Sequence, residues 1–152
     1  MHYRAIKVKF SKGVTIEATY QDGKVVRYDL SKLFNDYPQY KKLLDSDFFM
    51  SGRLDPGGYG LIWNDEIDCD LTSVYLEGEA VGEAKTTFNQ QIGFLVSKTR
   101  EEKNITQVEL ARLSHIDQGD ISKIEKGVGN PTLSKINKIF NALGKTVKLT
   151  LL

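Results

Sequence analysis

Thr106–Leu133 reads TQVELARLSHIDQGDISKIEKGVGNPTL, and its spacing decides the fold of the last third of the chain. Thr106 suits a helix N-cap, and Glu109 three residues on completes a capping box. Leu110, Ala111 and Leu113 are expected to face inward. Ser114-His115-Ile116 reads as a turn. Asp117 caps a second short helix through Lys126, with Ile121 and Ile124 buried. Gly127 ends it, and Asn130-Pro131-Thr132 opens the next helix. On either side the apolar period is three and four residues: Ile92, Leu95, Val96 and Thr99 before, Leu133, Ile136, Phe140 and Leu143 after. Such stripes mark amphipathic helices. Two short helices joined by a tight turn cannot bury their apolar sides alone. The flanking helices complete the core and leave one face of the second short helix open. A helix exposed in this way fits the major groove of a B-form duplex.

Toward the N-terminus the period changes to two. Ile6, Val8 and Phe10 alternate with Lys7 and Lys9, and Val14, Ile16, Ala18 and Tyr20 with Thr15, Glu17 and Thr19. Val26, Tyr28 and Leu30 alternate with Arg27 and Asp29. Breaks at Lys12-Gly13 and Asp22-Gly23 carry turn chemistry, so a three-stranded antiparallel meander is expected. Ser31 suits the start of a short turn through Phe34, and Pro38 the first turn of a helix to Leu44. A second hairpin is predicted from Phe48–Leu54, the turn Asp55-Pro56-Gly57-Gly58, and Tyr59–Trp63. Ile67, Cys69 and Leu71 add an extended piece, and Asp70 caps a helix through Leu76. Glu77–Glu83 is weakly patterned and is taken as linker. The tail Lys145–Leu152 alternates like a strand, paired either within the chain or with a second copy. The fold class is thus α+β. A small antiparallel-sheet domain with short helices occupies 1–77, a linker 78–87, and an all-α bundle ending in a short strand 88–152.

Composition narrows the function classes. The chain has 152 residues, 40% hydrophobic and 27% charged, as in globular rather than disordered sequences. Its apolar runs fall short of a bilayer span, and its start lacks the core of a signal peptide, so no membrane is expected as partner. A single cysteine, Cys69, fits a reducing cytoplasm. Up to Gly82 there are 10 Lys/Arg against 13 Asp/Glu, and from Glu83 onward 11 against 7. The first part is therefore −3 and the second +4, the sign a phosphate-binding module carries.

The first half resembles the family known as domain of unknown function 2442. The resemblance rests on Asp22-Gly23-Lys24-Val25-Val26-Arg27-Tyr28-Asp29-Leu30-Ser31, Phe48-Phe49, Asp55-Pro56-Gly57-Gly58, Ile62-Trp63-Asn64, Asp68-Cys69-Asp70-Leu71 and Val74-Tyr75. It implies a small α+β domain and no established chemistry. The second half resembles the Cro/CI (Xre-like) helix-turn-helix family. Here the carriers are Thr106–Ala111, Ile116, Ile121–Gly127 and Asn130–Leu133.

The second resemblance implies roles by position. Gln118, Gly119, Asp120 and Lys123 line the base-reading face of the recognition helix. Gln118 suits a bidentate contact with adenine, Lys123 guanine or a phosphate, and Asp120 a cytosine amino group. Gln107, Lys126, Asn130 and Lys135 are phosphate candidates. The family pattern further implies a structural ion pair between Arg100 and Glu125, which takes Glu125 away from DNA. Gly119 offers no side chain for readout, and Asp117 with Asp120 makes the start of this helix acidic, against the family's habit.

Enzyme chemistry finds little footing, and none is expected. His2 and His115 are the only histidines, and no Ser-His-Asp or Cys-His arrangement is visible. Gly57-Gly58-Tyr59-Gly60 lacks the Lys-Ser/Thr of a phosphate loop. Asp65, Glu66, Asp68 and Asp70 lack calcium-loop spacing, so neither a metal nor another cofactor is expected. The expected function is a sequence-specific DNA-binding transcriptional regulator, a repressor, acting as a homodimer on double-stranded DNA. The alternative is an antitoxin or interaction module whose N-terminal domain binds a toxin. A pocket lined by Phe48, Tyr59 and Trp63 would instead favour a small ligand there.

Overall fold

A computed structural model describes all residues, 1–152. The chain divides into two compact units, residues 2–85 and 86–152.

In the first unit, β1 (Ala5–Ser11), β2 (Thr15–Tyr20) and β3 (Lys24–Asp29) form the expected antiparallel meander. The period of two does its work here: Ile16, Ala18 and Tyr20 are buried while Thr15, Glu17 and Thr19 are less so. Two 3₁₀ helices follow, Leu30–Leu33 and Pro38–Leu44. A second antiparallel sheet comprises β4 (Arg53–Leu54), β5 (Gly60–Asn64) and β6 (Ile67–Asp70), in the order β4-β5-β6. The β4–β5 turn is tied by the Asp55 carboxylate, which accepts from the Tyr59 and Gly60 amides at 3.0 and 2.9 Å. Gly58 (φ +78°) then brings its carbonyl to the Ala5 amide at 2.7 Å. A Cβ there would lie 2.5 Å from the Ala5 oxygen, so only glycine fits.

Phe48–Leu54 departs from the expected strand. Ser46–Met50 is a helical turn, α1, capped by Asp45, which accepts from the Phe48 amide at 2.9 Å. Only Arg53–Leu54 is extended. A short apolar run such as Phe48-Phe49-Met50 has no period that separates strand from helix, and here the cap decides. Phe49 is buried edge-on to Phe10 and stacked with Trp63, whose indole donates to the Phe49 carbonyl at 2.7 Å.

Asp70 caps α2 (Leu71–Glu77), accepting from the Thr72 and Ser73 amides. The Tyr20 hydroxyl reaches the Leu71 carbonyl at 2.6 Å and fixes α2 to the first sheet. Half of the stretch expected to be linker, 78–87, is a strand. β7 (Glu79–Glu83) pairs antiparallel with β3 and completes the order β1-β2-β3-β7. Its side chains are mostly exposed on both faces, so no alternation betrays it. What holds it is the backbone ladder, together with Gly78, where a Cβ would fall 2.3 Å from Val26 Cγ1. No helix of the structure is long and apolar enough to cross a membrane.

The second unit is all helical: α3 (Phe88–Glu102), α4 (Gln107–Ser114), α5 (Gln118–Glu125) and α6 (Leu133–Ala142). Capping boxes at Thr87/Gln90 and Thr106/Glu109 start α3 and α4. Asp117 and Thr132 cap α5 and α6. The turn between α4 and α5 passes through His115 in the left-handed region (φ 55°). Ile92, Val96, Leu110, Ile116, Ile121, Ile124, Ile136, Ile139, Phe140 and Leu143 form one core.

Three residues expected inside are not. Leu95 is 47% exposed, Leu113 45% and Leu133 58%. Each sits at the margin of its apolar stripe, where helical spacing alone does not tell core from rim. The tail is a further correction, because 145–152 forms no strand. A lone alternating segment has no ladder without a partner, and only Val147 packs against the helical core.

Candidate nucleic-acid interface

Helix α5 turns Ile121, Ile124 and Glu125 inward and leaves Gln118 and Lys123 exposed, with Gly119 and Asp120 half-buried. All four expected base-reading positions therefore lie off the buried stripe. The side chain of Asp117 is occupied in the cap, accepting from the Gly119 amide at 2.8 Å.

A chain of polar contacts fixes the helix from behind. Arg100 of α3 donates Nε to Glu125 Oε1 at 2.6 Å and Nη2 to Oε2 at 3.0 Å. Its Nη1 donates to the Ile105 carbonyl at 2.9 Å. Gln107, first residue of α4, donates Nε2 to Glu125 Oε2 at 2.8 Å. Its own Oε1 accepts from Gln118 Nε2 at 2.9 Å. The Glu125 side chain is only 3% exposed and that of Arg100 13%. A paired, hydrogen-bonded charge of this kind is costly to disrupt and orients what it touches. The consequence at the surface is that Gln118 leaves α5 with its amide already held by Gln107. A phosphate candidate and a base candidate are thus joined side chain to side chain.

A second pairing crosses from α5 to α6. Lys135 Nζ lies 2.6 Å from Asp120 Oδ2. The Lys135 ammonium beside it, aided by the charge of Lys123, holds the Asp120 carboxyl below the usual carboxylate range. Asp120, Lys123, Asn130 and Lys135 share one small cleft of about 130 Å³. Neither link is visible in the sequence, because 11 residues separate Gln107 from Gln118 and 15 separate Asp120 from Lys135. Lys126 and Asn130 are exposed.

The first unit does not gather Phe48, Tyr59 and Trp63 into a pocket. Trp63 is buried with Phe49, and Tyr59 lies under the Arg4 guanidinium, 4.9 Å from its ring centre. One open cleft of the unit, about 410 Å³, is bordered instead by Tyr28, Tyr37, Tyr40, Asp68, Asp70 and Glu77. Burial pushes the Cys69 thiol at its floor up to about 12, so it stays a thiol at neutral pH.

Comparison with known proteins places both halves. Residues 5–80, half of the chain, match the model of a family described as protein of unknown function (DUF2442). The chain belongs to the DUF2442 family. Beyond its DUF2442 domain, residues 96–149 match the helix-turn-helix family model, spanning the last seven residues of α3 and all of α4, α5 and α6. The DUF2442 chain is 32% identical over 74 residues to "Putative antitoxin HigA2" of Mycobacterium tuberculosis, covering 47% of this chain and 73% of that protein. A solved structure, "Putative DNA Binding Protein NE0471" from Nitrosomonas europaea, aligns over 99% of this chain and 96% of its own. The TM-score is 0.44 and the identity 16%.

Proposed function

We propose that this chain is a sequence-specific DNA-binding transcriptional regulator, a repressor, that lays α5 in the major groove. The observation that carries the reading is the two-sidedness of α5: an apolar stripe and Glu125 locked inside, a polar row from Gln118 to Lys123 outside. Gln118, a donor and acceptor in one amide, is preset by Gln107 and suits the N7 and N6 edge of adenine. Lys123 reaches guanine or a phosphate. The N-terminus of α4 at Gln107, with exposed Lys126 and Asn130, engages the backbone. Gly119 contributes no side chain.

Two copies related by a two-fold axis would place their recognition helices about 34 Å apart, one turn of DNA. The reading therefore includes a homodimer on a near-palindromic operator, acting in the cytoplasm, with no catalytic role and no cofactor. The 32% likeness to a protein named as an antitoxin favours a second role beside the first. In that role the DUF2442 domain binds a toxin, and DNA binding serves autoregulation.

Selection of bound sequences from random duplexes, with the full chain, tests the proposal. The parent should enrich a two-fold motif. Gln118→Ala should lose about 1–3 kcal/mol and relax preference at one position of each half-site. Absence of any enriched sequence would refute it.

A further inference from the structure

We propose that Lys135 acts at the DNA through Asp120. By holding that carboxylate it lets an acidic side chain enter the major groove as acceptor for a cytosine amino group, and so helps set which base is read. This rests on the regulator reading above.

Asp120 stands in the first turn of α5 and Lys135 in the first turn of α6. The ammonium bonds one carboxylate oxygen, Oδ2, at 2.6 Å. The Lys135 backbone is itself fixed, its amide donating to the Thr132 cap at 3.2 Å. Both side chains remain about two-fifths exposed, at 44% and 39%. They open on the cleft shared with Lys123 and Asn130, so the pair faces solvent at the reading surface and is no core strut.

Elementary electrostatics makes the pairing matter. A bare carboxylate on a recognition helix is repelled by every phosphate it approaches. Paired with an ammonium, it carries no net charge toward the duplex and still accepts through Oδ1. A carboxylate only accepts. Adenine presents its amino donor beside the N7 acceptor, which a carboxylate cannot satisfy. Cytosine presents an amino donor alone. One available oxygen therefore matches cytosine. The same pairing removes Lys135 from the ranks of plain phosphate ligands.

The test uses the full chain and the duplex enriched by selection, with affinity measured across a salt series. The variants are Lys135→Met, Asp120→Asn and the two together, all at partly exposed positions, with helicity checked by circular dichroism. Lys135→Met should weaken binding about tenfold while Asp120 is intact, and less than about threefold in the Asp120→Asn background. Asp120→Asn alone should relax the preference for cytosine at one position per half-site. An equal loss for Lys135→Met in both backgrounds would make Lys135 an ordinary phosphate contact and overturn the inference while leaving the regulator reading intact. So would an unchanged base preference in Asp120→Asn. A parent chain that enriches no duplex overturns both.

Discussion

Replacing Glu125 by alanine removes the acceptor on which three side-chain hydrogen bonds converge, two from Arg100 and one from Gln107. The guanidinium, 13% exposed, keeps the Ile105 carbonyl and the Glu101 carboxylate at 3.8 Å but loses its two-point partner. Breaking a buried pair by removing one member costs about 3–5 kcal/mol, and the contact Arg100 keeps with Glu101 puts this case at the low end of about 3 kcal/mol. The core position leaves little room for water to compensate. For a helical unit of this size, each kcal/mol shifts the melting midpoint by roughly 4–8 °C. The midpoint of the helical unit should therefore fall by at least about 12 °C. Since the chain holds two units, a global melt need not be two-state. Hydrogen exchange of the Ile121 and Ile139 amides reports on the helical unit directly. Replacing both partners by Met should recover most of the loss, since apolar residues of similar volume often serve as well as a buried pair. A Glu125→Ala cost below about 1 kcal/mol, or a double variant as damaged as the two singles summed, would refute the reasoning.

Two further outcomes are expected. Gly58→Ala should destabilise the first unit by more than about 1 kcal/mol, since positive φ and the approach to the Ala5 oxygen both exclude a side chain; urea titration monitored by Trp63 fluorescence would read it. The Thr106 amide, with its hydroxyl, holds the Glu109 carboxyl below its usual range. Its contribution is present at neutral pH and lost as pH falls through that depressed value, so the pH dependence of helical-unit stability in acid should be shallower in Glu109→Gln.

The helical unit was legible because its caps are written in single residues. Thr106 with Glu109, Asp117 and Thr132 mark three helix starts, and all three stand where their chemistry places them. The meander was legible from Ile16-Ala18-Tyr20 and its turns at Gly13 and Gly23. Strand β7 was not, because Glu79–Glu83 buries neither face and its evidence lies in the ladder with β3. Phe48–Met50 was misread because three neighbouring apolar residues carry no period, and the Asp45 cap outweighed their preference for extended backbone. At the candidate site the exposed row on α5 followed from spacing. The bonds Gln107–Gln118 and Asp120–Lys135 join different helices and emerge only once those helices are packed.

Strand β7 also decides how the first sheet meets other molecules. An unpaired strand edge invites the addition of foreign backbone, the usual seed of fibrils and clumps. This one ends in Glu79 and Glu83, contains Gly82, and breaks register opposite Val25 and Val26. An incoming strand would confront negative charge and a kinked row of amides. The modest acidic ribbon that completes the sheet thus doubles as a guard rail along that edge, the opposite one being β1.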